Sequence, residues 1–491
     1  MSDAVSSPSG VVVGVLAGAG IMVSLMQTLV VPLIPQLPAL LHTSESSASW
    51  VITATLLTAA LATPVVGRLG DLYGKRRMLL VCAVMLAAGS LVCALSIALV
   101  PIIVGRALQG MGIPVIPLGI SIMRDVLPPK RLGSAVALLS SSLGVGGALG
   151  LPTSAVIAQH YGWHALFWAS TGLGALFALL IVAFVPTSPV RVRARFDFPG
   201  ALGLSAGLLA LLLAISKGGA WGWTSRTVVG LLGASLLVLL AWGWWELRTA
   251  SPVVDLRTSA RRQVLLTNLA SIAVGFAMYA MNLLAPQILQ LPVATGYGLG
   301  RTMLQAGLWM APGGLVMVAI SPLSARLSRA RGPKMSLLLG AAIIACGLGL
   351  AQALMGTTWG VLVFSLVLSA GVAMAYAAMP ALIMAAVPLS ETAAANGLNA
   401  LARSLGTSVS SAVIGVVLGQ LTIRLGSHTF PSQAGIRVCL AIGAAGAVLA
   451  GLIVAAIPGR REPAAAAAAV PVLDEPVLDE PALDEPMPDA V

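Results

Sequence analysis

The residues best suited to chemistry in this chain are polar groups set into very apolar surroundings. The densest set is Gly67-Arg68-Leu69-Gly70-Asp71-Leu72-Tyr73-Gly74-Lys75-Arg76-Arg77, with four cations, one acid and three glycines between two long apolar runs. Such a knot cannot lie in hydrocarbon, so it reads as a tight turn at a membrane surface. Its cations place that surface in the cytoplasm. Asp71 is expected at the start of the third span, where the helix dipole favours an acid. It could also hold a neighbouring helix end in one state and release it in another. Two more cations lie inside apolar segments. Arg106, with Gln109 one turn on, costs about 2.5–3.5 kcal/mol on insertion scales unless water, a partner or a cavity receives it. It is read either as a cavity-facing cation coupled to substrate or proton, or as an arginine reaching for the outer surface. Arg403 poses the same question nearer the cytoplasmic face.

The elements that must hold these groups follow from composition. Of 491 residues, 58% are apolar and only 9% charged, where a soluble domain carries about a quarter. Apolar segments recur at the length of a membrane-spanning helix. Fourteen are expected, at 11–34, 49–67, 78–97, 100–124, 133–158, 164–185, 199–216, 226–246, 264–289, 304–325, 335–354, 358–386, 393–419 and 437–457. The alternation of a membrane β-barrel is absent. With the N-terminus inside, Arg68, Lys75, Arg76, Arg77, Lys130 and Arg131 collect on the cytoplasmic side, as do the clusters at 191–195, 257–262 and 326–334. Lys217, Arg226, Arg301, Arg424 and Arg437 remain outside. Residues 1–10 are polar and lack a basic leader region, so no cleavable signal is expected.

The net charge of +11 suits cytoplasmic loops facing anionic lipid better than nucleic acid. Half of the acids follow Arg461, in an Ala-rich segment leading into Leu-Asp-Glu-Pro repeats; that tail, 458–491, is expected to be disordered and dispensable. Cys82, Cys93, Cys346 and Cys439 lie in apolar runs and read as small core residues, so neither a disulfide frame nor a metal site is expected. The scarcity of lysine beside arginine, alanine and glycine points to a GC-rich bacterial genome.

An internal repeat orders the spans. Pro64-Val65-Val66-Gly67-Arg68-Leu69 aligns with Pro322-Leu323-Ser324-Ala325-Arg326-Leu327, Gly74 then falls on Gly332, and Asp71 on Arg329. The expected organisation is a cytoplasmic segment 1–10, a six-helix half 11–186, a two-helix insertion 187–263 with basic linkers, a second six-helix half 264–457, and the tail.

The basic turn resembles the helix 2–3 signature of major facilitator superfamily transporters, G-x-L-a-D-r-x-G-r-r. Gly67, Arg68, Asp71, Gly74, Arg76 and Arg77 stand in or beside its positions and would form a conformational latch. Other segments resemble the fourteen-helix drug:proton antiporter branch: Trp50-Val51-Ile52-Thr53-Ala54, Arg106-Ala107-Leu108-Gln109-Gly110-Met111-Gly112, Gly162-Trp163, and Asn396-Gly397-Leu398-Asn399 before Arg403. The resemblance implies an all-α polytopic fold of two six-helix halves plus two inserted helices. Two motifs depart from the family. The acid of its first span is Met26 here, beside Gln27. The span 5 motif G-P-x-x-G-G survives only as Gly146, Gly150 and a displaced Pro152. No carboxylate is expected near the membrane midplane, although proton relays normally use one.

Gln27, Asn268, Asn282, Gln287 and Tyr376 are the polar candidates for a cavity lining. Met22, Met26, Phe276, Met278, Tyr279, Met281, Trp309, Met310, Met374 and Met379 would give it a soft apolar wall, or else pack and face lipid. Glycine runs such as Gly144-Val145-Gly146-Gly147 read as close helix packing. No zinc-protease or serine-hydrolase motif is present, so no enzyme and no cofactor are expected. The expected function is export of small amphipathic organic compounds by alternating access across a bacterial inner membrane, linked to protons by the resemblance. The protein would be a monomer in the bilayer with both termini cytoplasmic. Export of a lipid or one dedicated metabolite, and a non-transporting receptor, are the alternatives.

Overall fold

In a computed structural model, residues 9–30, 33, 37–188, 194–425 and 428–458 are described. The first eight residues, Arg191, Arg193 and the acidic tail, all carrying expectations above, lie outside the described residues. Among those residues, fourteen helices are long and apolar enough to cross a membrane. Spans 1–6 are Ser9–Thr28, Trp50–Tyr73, Lys75–Leu95, Leu99–Val126, Pro129–Tyr161 and Trp163–Phe184. Spans 7 and 8 are Phe198–Trp221 and Arg226–Arg248. Spans 9–14 are Arg262–Gln290, Met303–Arg331, Pro333–Leu354, Thr358–Met384, Leu389–Gln420 and Gln433–Ala455. Each six-span half has its own apolar core, one around Leu16, Leu79 and Ile122, the other around Ile344, Leu368 and Ile436.

The turns show why the two halves repeat. Gly74 alone joins spans 2 and 3 at φ 110°, and Gly332 alone joins spans 10 and 11 at φ 85°. Both values belong to glycine, because a Cβ would strain them. Alternation puts these turns at one end of the bundle, called here the basic end.

Two spans are broken where continuous helices were expected. Span 4 consists of Leu99–Gly110 and Val115–Val126. Between them, Gly112 donates to the Gln109 carbonyl, Ile113 to Gly110 and Val115 to Gly112, the tighter i to i−3 pattern. Pro114 has no N–H, and both glycines are needed for packing. A Cβ on Gly110 would lie 2.5 Å from the Thr55 carbonyl oxygen, and one on Gly112 2.6 Å from Leu86. Span 10 breaks at Ala311, with Pro312 opening its second helix. A short antiparallel hairpin, β1 (Thr422–Leu425) and β2 (His428–Pro431), joins spans 13 and 14, an element that hydropathy gave no reason to expect.

The inserted pair straddles the seam between the halves. Leu204, Leu208 and Leu212 of span 7 form one apolar cluster with Leu57 and Ala60 of span 2 and Leu401 of span 13. At the far end from the basic turns, the buried Lys217 ammonium donates to Ser49 and lies 4.6 Å above the Trp50 ring. At the basic end, buried Glu246 accepts from the Val254 N–H at 2.6 Å, fixing the linker that leaves span 8.

Candidate functional site

Asp71 occupies the last turn of span 2, not the start of span 3, and is 1% exposed. Its carboxylate accepts from the Ala393 N–H at 3.4 Å and the Ala394 N–H at 3.0 Å. These are free donors in the first turn of span 13's helix, so a residue of the first half caps a helix of the second. The helices can meet there because two glycines face each other's backbones. A Cβ on Gly67 would sit 2.8 Å from the Ala393 carbonyl oxygen, and one on Gly397 2.8 Å from that of Thr63.

Behind the cap lies an ion cluster that the sequence did not single out. Lys75, 0% exposed, contacts Asp125 at 2.6 Å and Asp71 at 3.8 Å. Ser188 also donates to the Asp125 carboxylate. Next to Asp125, Arg124 crosses the seam, donating to the Met384 carbonyl at 2.6 Å, to Val387 at 3.0 Å and to the Thr392 hydroxyl. In the sequence, Lys75 belongs to the basic turn and Arg124-Asp125 is a charged pair at the cytoplasmic end of span 4, with Asp125 a candidate carrier of proton coupling beside Asp71. Their adjacent placement on spans 3 and 4 was the one available signal.

The last two cations of the expected latch, Arg76 and Arg77, do not cross the seam. Arg76 donates to the Val182 carbonyl within its own half, and Arg77 is exposed. Arg68 is buried and lines a cavity of about 220 Å3 with the span 8 linker and Glu391; its Nε has no partner.

Arg106 is 2% exposed and faces no open cavity, contrary to one reading of its position; nor does it reach a surface. Its Nε donates to the Val51 carbonyl at 3.2 Å, and its Nη1 to the Met26 carbonyl at 3.4 Å and to Gln109 Oε1 at 2.6 Å. Gln109 in turn donates to Ser90 at 2.8 Å. Backbone carbonyls of spans 1 and 2 thus receive the guanidinium. The Met26 side chain is 3% exposed and packs in the core of the first half; its carbonyl accepts from Arg106. Met22, Met374 and Met379 are likewise buried, and Phe276 faces a groove beside span 14. Most of the expected soft wall is therefore packing. Cys82, Cys93 and Cys439 are core residues, whereas Cys346 is exposed.

The second half holds its own polar network. Arg403 Nη1 donates to Asn399 Oδ1 at 2.7 Å, and the guanidinium lies 5.0 Å from the Tyr376 ring centroid. Asn399 donates to Asn268 at 2.9 Å and to Ser271 at 2.8 Å, and the Tyr376 hydroxyl meets Met278 Sδ at 2.9 Å. Gln27 and Tyr279 are half-buried and Asn282 is exposed; none joins either network. The span 5 glycines serve packing. Gly150 lies against the Thr28 hydroxyl, and a Cβ on Gly146 would be 2.5 Å from the Ile21 carbonyl oxygen. Pro152 is buried within span 5.

The geometry is that of two helical halves held together at one end by hydrogen bonds to backbone. The family model described as Major Facilitator Superfamily matches residues 16–411. The multidrug resistance protein Stp of Mycobacterium tuberculosis (strain CDC 1551 / Oshkosh) is 26% identical over 408 residues, covering 82% of this chain and 75% of that one. The tetracenomycin C resistance and export protein of Streptomyces glaucescens is 28% identical over 422 residues, covering 84% and 76%. Among solved structures, human MFSD10 superposes with a TM-score of 0.66 at 17% identity, covering 91% of this chain and 99% of that one. The proton:xylose symporter XylE gives 0.63 at 16%, covering 92% and 96%; these two likenesses bear on the fold. With a family match over most of its length and a fourteen-span fold of that architecture, the chain belongs to the Major Facilitator Superfamily of membrane transporters.

Proposed function

We propose that this transporter is a secondary active exporter of small amphipathic organic compounds, working by alternating access in a bacterial plasma membrane with its basic end in the cytoplasm. The observation that carries this reading is the seam at the basic end. Asp71 caps span 13 and Arg124 holds the carbonyls before it, each bond joining one half to the other. A charge-assisted hydrogen bond contributes about 1.5–3 kcal/mol. A handful can close one face, yet can be exchanged for water without unfolding either half. The names of the multidrug resistance and tetracenomycin relatives support organic export.

Proton linkage belongs to the same reading, with an unusual route. Among the described residues, the carboxylates within spans are Asp71, Asp125, Glu246 and Glu391, all toward the basic end. Proton exchange would therefore occur at the Asp71–Lys75–Asp125 cluster. Met26, a side chain with no proton to exchange, favours a second reading: one dedicated metabolite or lipid moved with weak proton coupling. Everted vesicles carrying the protein should accumulate an amphipathic dye such as N-phenyl-1-naphthylamine when a pH gradient is imposed, and lose it when the gradient collapses. Uptake that ignores the gradient would favour the second reading. No uptake above empty vesicles would overturn export of such compounds.

A further inference from the structure

The two arginines set within the spans are in opposite situations. Arg106 is enclosed, and its Nε and Nη1 already serve three protein acceptors. Arg403 is only half-buried. A single protein hydrogen bond, to Asn399, engages its guanidinium among the described residues. No carboxylate lies within 4.0 Å of it; the ion pairs found among those residues both belong to Lys75. Thr392 opens the helix, so Arg403 lies about 17 Å along it from the basic end at 1.5 Å per residue, three turns inside an apolar span. A cation at that depth is retained at a cost unless something receives its charge.

We propose that Arg403, with Tyr376 and Asn399, is a subsite for an anionic group of the transported compound, of the sulfonate or carboxylate class. The three side chains divide the work. Asn399 is itself oriented by Asn268 and Ser271, and it holds one edge of the guanidinium in place. Tyr376 backs the guanidinium with a ring face and is fixed through its hydroxyl to Met278. Among the described residues, no protein acceptor engages the Nε and Nη2 donors. They form the planar fork that matches two oxygens of an oxyanion. The subsite deepens the exporter reading and takes its biological use from it. It also sits on the helix whose first turn is capped by Asp71, so ligand charge and seam share one rigid element.

Two probes share one scaffold and differ in the anion: 8-anilino-1-naphthalenesulfonate and N-phenyl-1-naphthylamine, which lacks the sulfonate. Binding of each to the full-length protein in nanodiscs is read by fluorescence, independently of transport. The sulfonate should bind the wild type more tightly than the amine. Arg403→Gln should weaken it tenfold or more while changing the amine less than twofold, and Arg403→Lys should recover part of the loss. Naphthalene-1-sulfonate should displace the bound probe from the wild type where naphthalene-1-methanol does not, a test that needs no variant to fold. Equal affinity for the two probes, an equal loss of both in Arg403→Gln, or displacement by the alcohol as readily as by the sulfonate would overturn the subsite. Charge-selective binding in a protein that moves neither probe in vesicles would keep the subsite and refute the exporter reading.

Discussion

At the scale of residues, the buried charges divide into those that are paired and those that rest on backbone. Lys75 belongs to the first kind, wedged between Asp125 and Asp71 with no exposure. Removing one partner of a buried pair costs about 3–5 kcal/mol, because the other is stranded, whereas replacing both partners by apolar groups is often neutral. Lys75→Met should therefore lower the thermal unfolding midpoint of the detergent-solubilised protein clearly. The double variant Lys75→Met/Asp125→Leu should regain much of the loss, though not all, since Asp71 stays unpaired from Lys75. Equal midpoints for the two variants would refute the coupling. Arg106 belongs to the second kind. Arg106→Ala leaves the Met26 and Val51 carbonyls and Gln109 Oε1 without that donor, at about 1–3 kcal/mol for each buried group. Vesicle transport should fall at least tenfold, and Arg106→Lys should restore only part, having lost the planar fork. Near-normal transport by the alanine variant would remove Arg106 from the working parts. The sequence marked Arg106 and Asp71 because a charge among apolar residues stands out. Beyond Gln109, which stands one turn from Arg106, it could not name their hydrogen-bond partners, because those are backbone carbonyls and N–H groups.

At the scale of elements, the spans were legible because hydrocarbon thickness fixes their length and lipid fixes their composition. The breaks were less so. Span 4 carries Gly110-Met111-Gly112-Ile113-Pro114, a run poor in helix formers, but its hydropathy is continuous, and hydropathy alone merges its two helices. The Asp71 cap was misplaced for a related reason. The turn at Gly74 takes a single residue, so the acid stays in span 2 and points across the seam instead of along its own chain. The close approach of spans 2 and 13 tests this arrangement. Gly67→Val puts a branched side chain where a Cβ alone would lie 2.8 Å from the Ala393 carbonyl oxygen, against backbone that cannot give way. The basic end should then close poorly. A cysteine at Ala395, in a variant without the four native cysteines, should react faster with an impermeant maleimide applied from the cytoplasmic side. An unchanged labelling rate would mean that the two helices do not need this contact.

At the scale of the whole molecule, the hydrogen bonds that Asp71 accepts from Ala393 and Ala394, those that Arg124 donates, and that from Ser321 to the Ala137 carbonyl join the halves toward the basic end. Each half keeps its own apolar core, so they can rock as units. The inserted pair complicates that motion, because span 7 packs on both span 2 and span 13 and must follow one or slide on the other. Its Lys217, far from the basic end, is tied to Ser49 and the linker at the basic end to Glu246 within the pair itself, which favours movement with the first half. If export requires the basic end to open, fixing it shut should stop turnover without unfolding anything. Arg124 reaches the Pro388 carbonyl from across the seam, so cysteines at Arg124 and Ser390 lie within the span of a short bis-methanethiosulfonate linker. Cross-linking this pair, in a variant lacking the native cysteines and shown to transport before treatment, should abolish dye movement in vesicles. Cleaving the linker with a reductant should restore it. Either single-cysteine variant given the same reagent should keep its activity. Transport that continues at full rate in the cross-linked protein would show that this seam does not open during the cycle, and alternating access through it would have to be abandoned.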